Sequence, residues 1–168
     1  LVEEMPETEV RVRASVMDLN GDGTDTDVVG SAVFADSLPI FLYCLENHPE
    51  PYELWSSEIY ELVITFGAAR IWTHLHEQGL IPDDFDANSV PCLAARYGCI
   101  ELLSALQAAG IDLSTTFEEH GVQQTPLTAA AVAGKFETVG WLFKHVPGQD
   151  IELVRTLCPH VLPKLTNA

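Results

Sequence analysis

Through the middle of the chain apolar residues recur at three- and four-residue intervals, the period of helices that bury one face. Phe136, Val139, Leu142 and Phe143 follow Gly134 in this way, Ile100, Leu102, Leu103 and Leu106 follow Gly98, and Ile71, Trp72 and Leu75 follow Gly67. Ahead of two of these glycines stand small-residue segments, Ala94-Ala95 and Ala129-Ala130-Ala131, which let neighbouring backbones approach closely. Thr125 is placed to cap a helix, and Pro126 suits a first helical position, where its missing donor goes unneeded. The pattern predicts helix-turn-helix units, each too thin to bury its own apolar side, and therefore stacked on one another.

The units repeat. Ser89 to Gln107 carries the same Ala-Ala-x-x-Gly-x-x-Glu pattern as the stretch from Thr125 to His145, with Gly98 answering Gly134 at an offset of 36 residues. A weaker copy from Ser57 to Gly79 lies 31 residues earlier and has Arg70 where the others have Glu101 and Glu137. On these residues the sequence resembles the ankyrin repeat, whose period is about 33 residues and whose signature is a TPLHxAA-like first helix, a glycine and a second helix. The resemblance covers roughly residues 37–158. It implies a mostly α fold, an ankyrin-like solenoid of stacked repeats, with an eroded repeat at 37–50, repeats at 53–79, 89–110 and 125–145, and a C-terminal cap at 150–168. Terminal repeats of such stacks are atypical because they face water. The departures from the common period fall in the connections, compressed after Gly79 and extended after Gly110.

Residues 1–36 do not follow the repeat and form a separate N-terminal extension. Val10, Val12, Ala14 and Val16 alternate with Arg11, Arg13 and Ser15, as in a half-exposed strand, and residues 28–34 would return as its partner in a small β-hairpin. Between them Asp18, Asn20, Asp22 and Thr24, with Gly23, reproduce the first half of an EF-hand-type calcium loop, where alternate oxygens converge on the ion. The second half departs, since Val29 stands where a bidentate Glu belongs. The stretch also looks like the calcium loops of integrin-type propeller blades. A solvated Asp/Gly turn is the plain alternative.

Charge changes the picture most. With 25 acidic against 8 basic residues the formal net charge is −17, which excludes nucleic acid and anionic membranes as direct partners and favours a basic protein. No apolar run approaches ~18 residues, and the N-terminal residues are acidic, unlike a signal peptide. Cys44, Cys92, Cys99 and Cys158 form no CxxC pair, and three sit in apolar helical patterns, so they read as buried thiols of a reducing, cytoplasmic compartment. His74 and His76, two apart on a helix, make a poor metal pair. No HExxH, phosphate loop or GxSxG elbow is present, so an enzyme is not expected.

The inter-repeat loops are the candidate working surface, because the resemblance implies protein recognition by fingers projecting there. Asp83, Asp84, Phe85 and Asp86 occupy one loop, and Asp112, Phe117, Glu118 and Glu119 the next. In each, an aromatic anchor stands among carboxylates that would steer a basic partner. The expected function is a monomeric protein-protein interaction module that captures a basic protein, as an inhibitor or as an immunity protein against a toxin such as a nuclease. The alternative is a calcium-binding accessory domain in which Ca2+ on Asp18, Asn20, Asp22 and Thr24 orders the N-terminal hairpin and the repeats serve as scaffold.

Overall fold

A computed structural model describes residues 25–47, 57–82, 85–119 and 121–148, together with 152, 155 and 156. These residues are mostly helical, with eight α-helices and one two-stranded antiparallel sheet. The helices come as pairs: α1 (Asp25–Phe34) with α2 (Leu38–Asn47), α3 (Ser57–Thr65) with α4 (Ala69–Glu77), α5 (Val90–Tyr97) with α6 (Ile100–Ala108), and α7 (Pro126–Val132) with α8 (Phe136–His145). Within every pair the two helices touch. Between pairs α1 meets α3, α3 meets α5 and α5 meets α7, while α2 meets α4 and α4 meets α6. The first helices form one row in chain order, and α2, α4 and α6 follow one another beside it.

One turn, used four times, joins the members of each pair. In pair 3 the N–H of Gly98 donates to the Ala95 carbonyl and that of Cys99 to Ala94, the two bonds that close a helix through a left-handed residue. Gly67 with Ala68, Gly134 with Lys135, and Asp36 with Ser37 repeat both bonds. Asp36 has the required positive φ, 46°, which glycine would adopt without strain. Its carboxylate supplies a compensation that glycine could not. The N–H groups of Arg70 and Ile71, unpaired donors at the start of α4, donate to it at 3.0–3.1 Å. Pair 1 thereby caps pair 2.

Packing explains why these residues choose helix. Val29, Ala32 and Val33 are buried at helical spacing in α1, which packs on α2 and α3. This corrects the strand expected at 28–34: β-branched residues and Gly30 suggest a strand locally, but burial of one face against two helices outweighs intrinsic propensity. The segment at 38–47, expected as an eroded repeat, therefore has a first helix before it, drawn from the residues assigned to the N-terminal extension. The described sheet instead lies in the connection between α6 and α7, where β1 (Phe117–Glu119) pairs with β2 (Val122–Gln124) in the register Phe117↔Gln124. The other half of the expected N-terminal hairpin, at 10–16, lies outside the described residues.

The core runs continuously between first and second helices. Ala94, Ala95, Ala130 and Ala131 are buried between first helices, as the small-residue pattern required, and Leu102, Leu103, Leu106 and Leu142 fill the space behind them. In pair 2 the Trp72 indole donates to the Tyr60 hydroxyl at 3.1 Å, which satisfies both polar groups inside the core. Glu152, Arg155 and Thr156 are helical, with an Arg155–Glu152 ion pair of 2.7 Å. Among the described residues no helix is long and apolar enough to cross a membrane.

Candidate partner-binding surface

The connections that lead into the first helices make one edge of the protein. Asp86 precedes a short 3-10 helix (Ala87–Ser89), and its Oδ1 accepts from the Asn88 backbone at 2.9 Å and side chain at 3.0 Å. The Ser89 hydroxyl donates to the Asp86 carbonyl at 2.7 Å, closing the turn. One connection later Asp112 repeats the device. Its Oδ1 accepts from the N–H and the hydroxyl of Ser114 at 2.8 and 2.7 Å, and those bonds hold its carboxyl below the usual range. Leu113, buried between two exposed neighbours, pins this loop to the core.

The hairpin rises from the same edge. Glu118 is exposed and accepts from Gln123 across the strands at 2.8 Å. Gln124 ties the hairpin down, since its carbonyl receives the Cys92 thiol at 3.6 Å and its side-chain oxygen the Arg96 guanidinium at 3.2 Å. Cys92 belongs to the first turn of α5 and Gln124 immediately precedes the cap of α7, so the starts of these neighbouring helices lie together. Thr125 then caps α7 in a reciprocal box with Thr128. Asp86 and the hairpin thus share one edge, on which the carboxyl groups of Asp86 and Asp112 are held by local backbone donors.

Phe85 behaves differently from the sequence expectation of a projecting anchor. Phe85 turns inward and packs edge-on against Tyr60, with ring centroids 4.8 Å apart. Burial behind it pushes the Tyr60 hydroxyl up, with a smaller opposing effect from the Trp72 hydrogen bond. Phe85 is therefore a brace that docks its loop, and not a free anchor. Phe117 is half-buried on β1. Asp83, Asp84, the side chain of Glu119 and the whole of Asp18, Asn20, Asp22 and Thr24 lie outside the described residues. Among those described no cluster of His, Cys, Asp or Glu is arranged to hold a metal ion.

The opposite edge, made of the tight turns, was missed in the sequence. Phe34 is 72% exposed, Val132 75%, and Phe66, Tyr97 and Phe136 between 40 and 46%. Phe34 and Phe66 meet at right angles with centroids 5.3 Å apart. Tyr97, Gly98, Gly134, Lys135, Phe136, Glu137 and Thr138 line a groove of about 320 Å³ between the turns of pairs 3 and 4. A signal was present: Phe66 and Tyr97 directly precede Gly67 and Gly98, where the helix is ending and no core face needs an aromatic residue.

Compared with known proteins, the chain matches no family model, and no curated protein matches it.

Proposed function

We propose that the chain is an ankyrin-like solenoid that binds a basic protein through its acidic loop edge, as an inhibitor or as an immunity protein against a basic toxin. The observation that carries this reading is the repeated construction of Asp86 and Asp112, each exposed and each fixed by backbone donors two residues on. A carboxylate that is merely solvated would be free to rotate, whereas these are held at a set position while their remaining lone pairs face water. Pre-positioned acceptors suit guanidinium and ammonium groups, because little side-chain entropy is lost when the partner arrives. The hairpin extends this edge with Glu118, and the net charge of −17 supplies the long-range field that steers a basic partner toward it. The four repeated turns and the ordered row of first helices support the repeat architecture on which such a binding edge rests.

Two steps test the reading. Affinity capture with mass spectrometry identifies the partner, and stopped-flow association then measures its on-rate against ionic strength. The rate should fall steeply between about 0.05 and 0.5 M salt. Neutralising the edge as Asp86→Asn, Asp112→Asn and Glu118→Gln should lower the on-rate by roughly five- to ten-fold at low salt without unfolding the chain. An unchanged rate in that triple variant overturns the assignment.

A further inference from the structure

The turn edge is the surface on which two features of this chain coincide: large apolar side chains left in water, and a local charge balance unlike that of the whole. Phe34, Phe66 and Tyr97 follow one another along the turns of pairs 1 to 3. Continuity between the turns is direct. Phe34 touches Phe66, the Cys99 side chain covers Gly67 with its thiol 3.6 Å from the Ile64 and Thr65 carbonyls, and Lys135 lies over Gly98. Monomeric proteins seldom leave such a strip uncovered.

Its charges are ordered. At equivalent positions, just inside the second helix of pairs 2, 3 and 4, stand Arg70, Glu101 and Glu137, and Lys135 precedes the last of these. Arg70 and Glu101 are both exposed. The sequence 31-residue offset between them fixes them as neighbours along the edge. Asp36, also on this edge, already has its carboxylate turned onto the Arg70 and Ile71 backbone. Two bases thus face two unengaged acids here, on a chain whose total is −17.

We propose that this edge is the contact of a two-fold dimer, with a second copy of this chain as its occupant and the symmetry axis passing between pairs 2 and 3. In that register Arg70 lies opposite Glu101 of the second copy, twice by symmetry, and Phe66 lies opposite Tyr97 of the second copy. Pair 1 then faces pair 4, so Phe34, the most exposed aromatic residue on the edge, enters the groove that Tyr97 and Phe136 line. Knob, groove and the Arg–Glu order are all supplied by one copy and received by the other. Self-pairing also agrees with the electrostatics: two chains of −17 repel overall and approach with least cost along an edge where two bases stand against three acids, one of them, Asp36, already engaged by backbone donors. The arrangement leaves both acidic loop edges free.

Sedimentation equilibrium on the full chain tests this. A species of twice 18.4 kDa is expected at tens of micromolar, tightening as salt rises from about 0.05 to 0.5 M because screening relieves the net repulsion. Phe34→Glu and Arg70→Glu should each raise the dimer dissociation constant about ten-fold or more, with thermal melts confirming that the chains are folded. The paired exchange Arg70→Glu with Glu101→Arg should recover the affinity to within about three-fold of wild type, because each copy again presents opposite charges. A mass of 18.4 kDa at every concentration and salt overturns the proposal. So does a dimer indifferent to Phe34→Glu and Arg70→Glu, and failure of the exchange to recover affinity overturns the two-fold register.

Discussion

Asp112 on the loop edge and Asp36 on the turn edge are both aspartates that accept backbone N–H bonds, yet they do opposite things. Asp112 bonds Ser114 two residues away, within its own loop, and stays exposed. Asp36 bonds the N–H groups of residues 34 and 35 positions further on, in the next pair, and is half-buried there. The first interaction fixes a charge for something outside the molecule. The second joins one pair to the next. The contrast holds for these carboxylates: local hydrogen bonds leave those of the loop edge tolerant of change, while interlocking between pairs makes the turn edge sensitive to it.

Gly67 is where this sensitivity should be greatest. A Cβ there would stand 2.7 Å from the Cys99 Cβ and 2.8 Å from its sulfur, at a φ of +67°. Strain in the left-handed region and overpacking together give an expected loss of about 2–5 kcal/mol for Gly67→Ala. Gly134 has a similar φ, +71°, but nothing within 4 Å of its would-be Cβ, so Gly134→Ala should cost only about 1–2 kcal/mol. Urea denaturation compares the two. Equal losses would break the view that each turn is covered by the next pair.

Phe85 sharpens the comparison from the other side, because it is the loop-edge residue that does reach the core. Phe85→Ala should cost about 1–3 kcal/mol through lost burial and the lost edge-on contact with Tyr60. Near-UV circular dichroism should register the change at Tyr60 and Trp72. A loss of partner affinity with unchanged stability would instead make Phe85 an anchor.

Asp36→Ala is expected to cost about 1–2 kcal/mol, since it removes the cap on α4 and leaves a residue with a side chain in a left-handed turn. Hydrogen exchange should show faster opening at Arg70 and Ile71 than at the start of α6 or α8. Uniform exchange across the three helix starts would mean that the cap contributes nothing.

Asp36 also marks the limit of what the sequence discloses. Three turns were legible because Gly67, Gly98 and Gly134 announce them, with apolar periodicity on both sides. The fourth carries aspartate in the glycine's place, and α1 is built from valines and Gly30, which read locally as strand. Only contact with α2 and α3 makes it a helix, and contact is not visible in a period. The acidic loops were legible from composition, and the extended connection was seen as a finger, but which aromatic residue turns inward depends on Tyr60, 25 positions before Phe85. The exposed aromatic strip is hard to read because Phe66 and Tyr97 stand at helix ends, outside the apolar period of either helix.

The smallest stability effect should come from the residues assigned the largest role in binding. Asp112→Asn keeps an acceptor for Ser114, so melting at neutral pH should match that of wild type. Acid separates the two proteins. The carboxyl of Asp112 titrates below its ordinary value of 3.8 in the folded state, so the folded chain binds that proton less readily than the unfolded chain. Its contribution is present above 3.8 and disappears as pH falls through the depressed value. Wild type should therefore show a slightly steeper loss of melting temperature than Asp112→Asn on acidification from just above that range downward. Identical acid profiles would mean that the Ser114 bonds do not favour the ionised form. With them would go the distinction between a carboxylate held ready for a partner and one that is only dissolved.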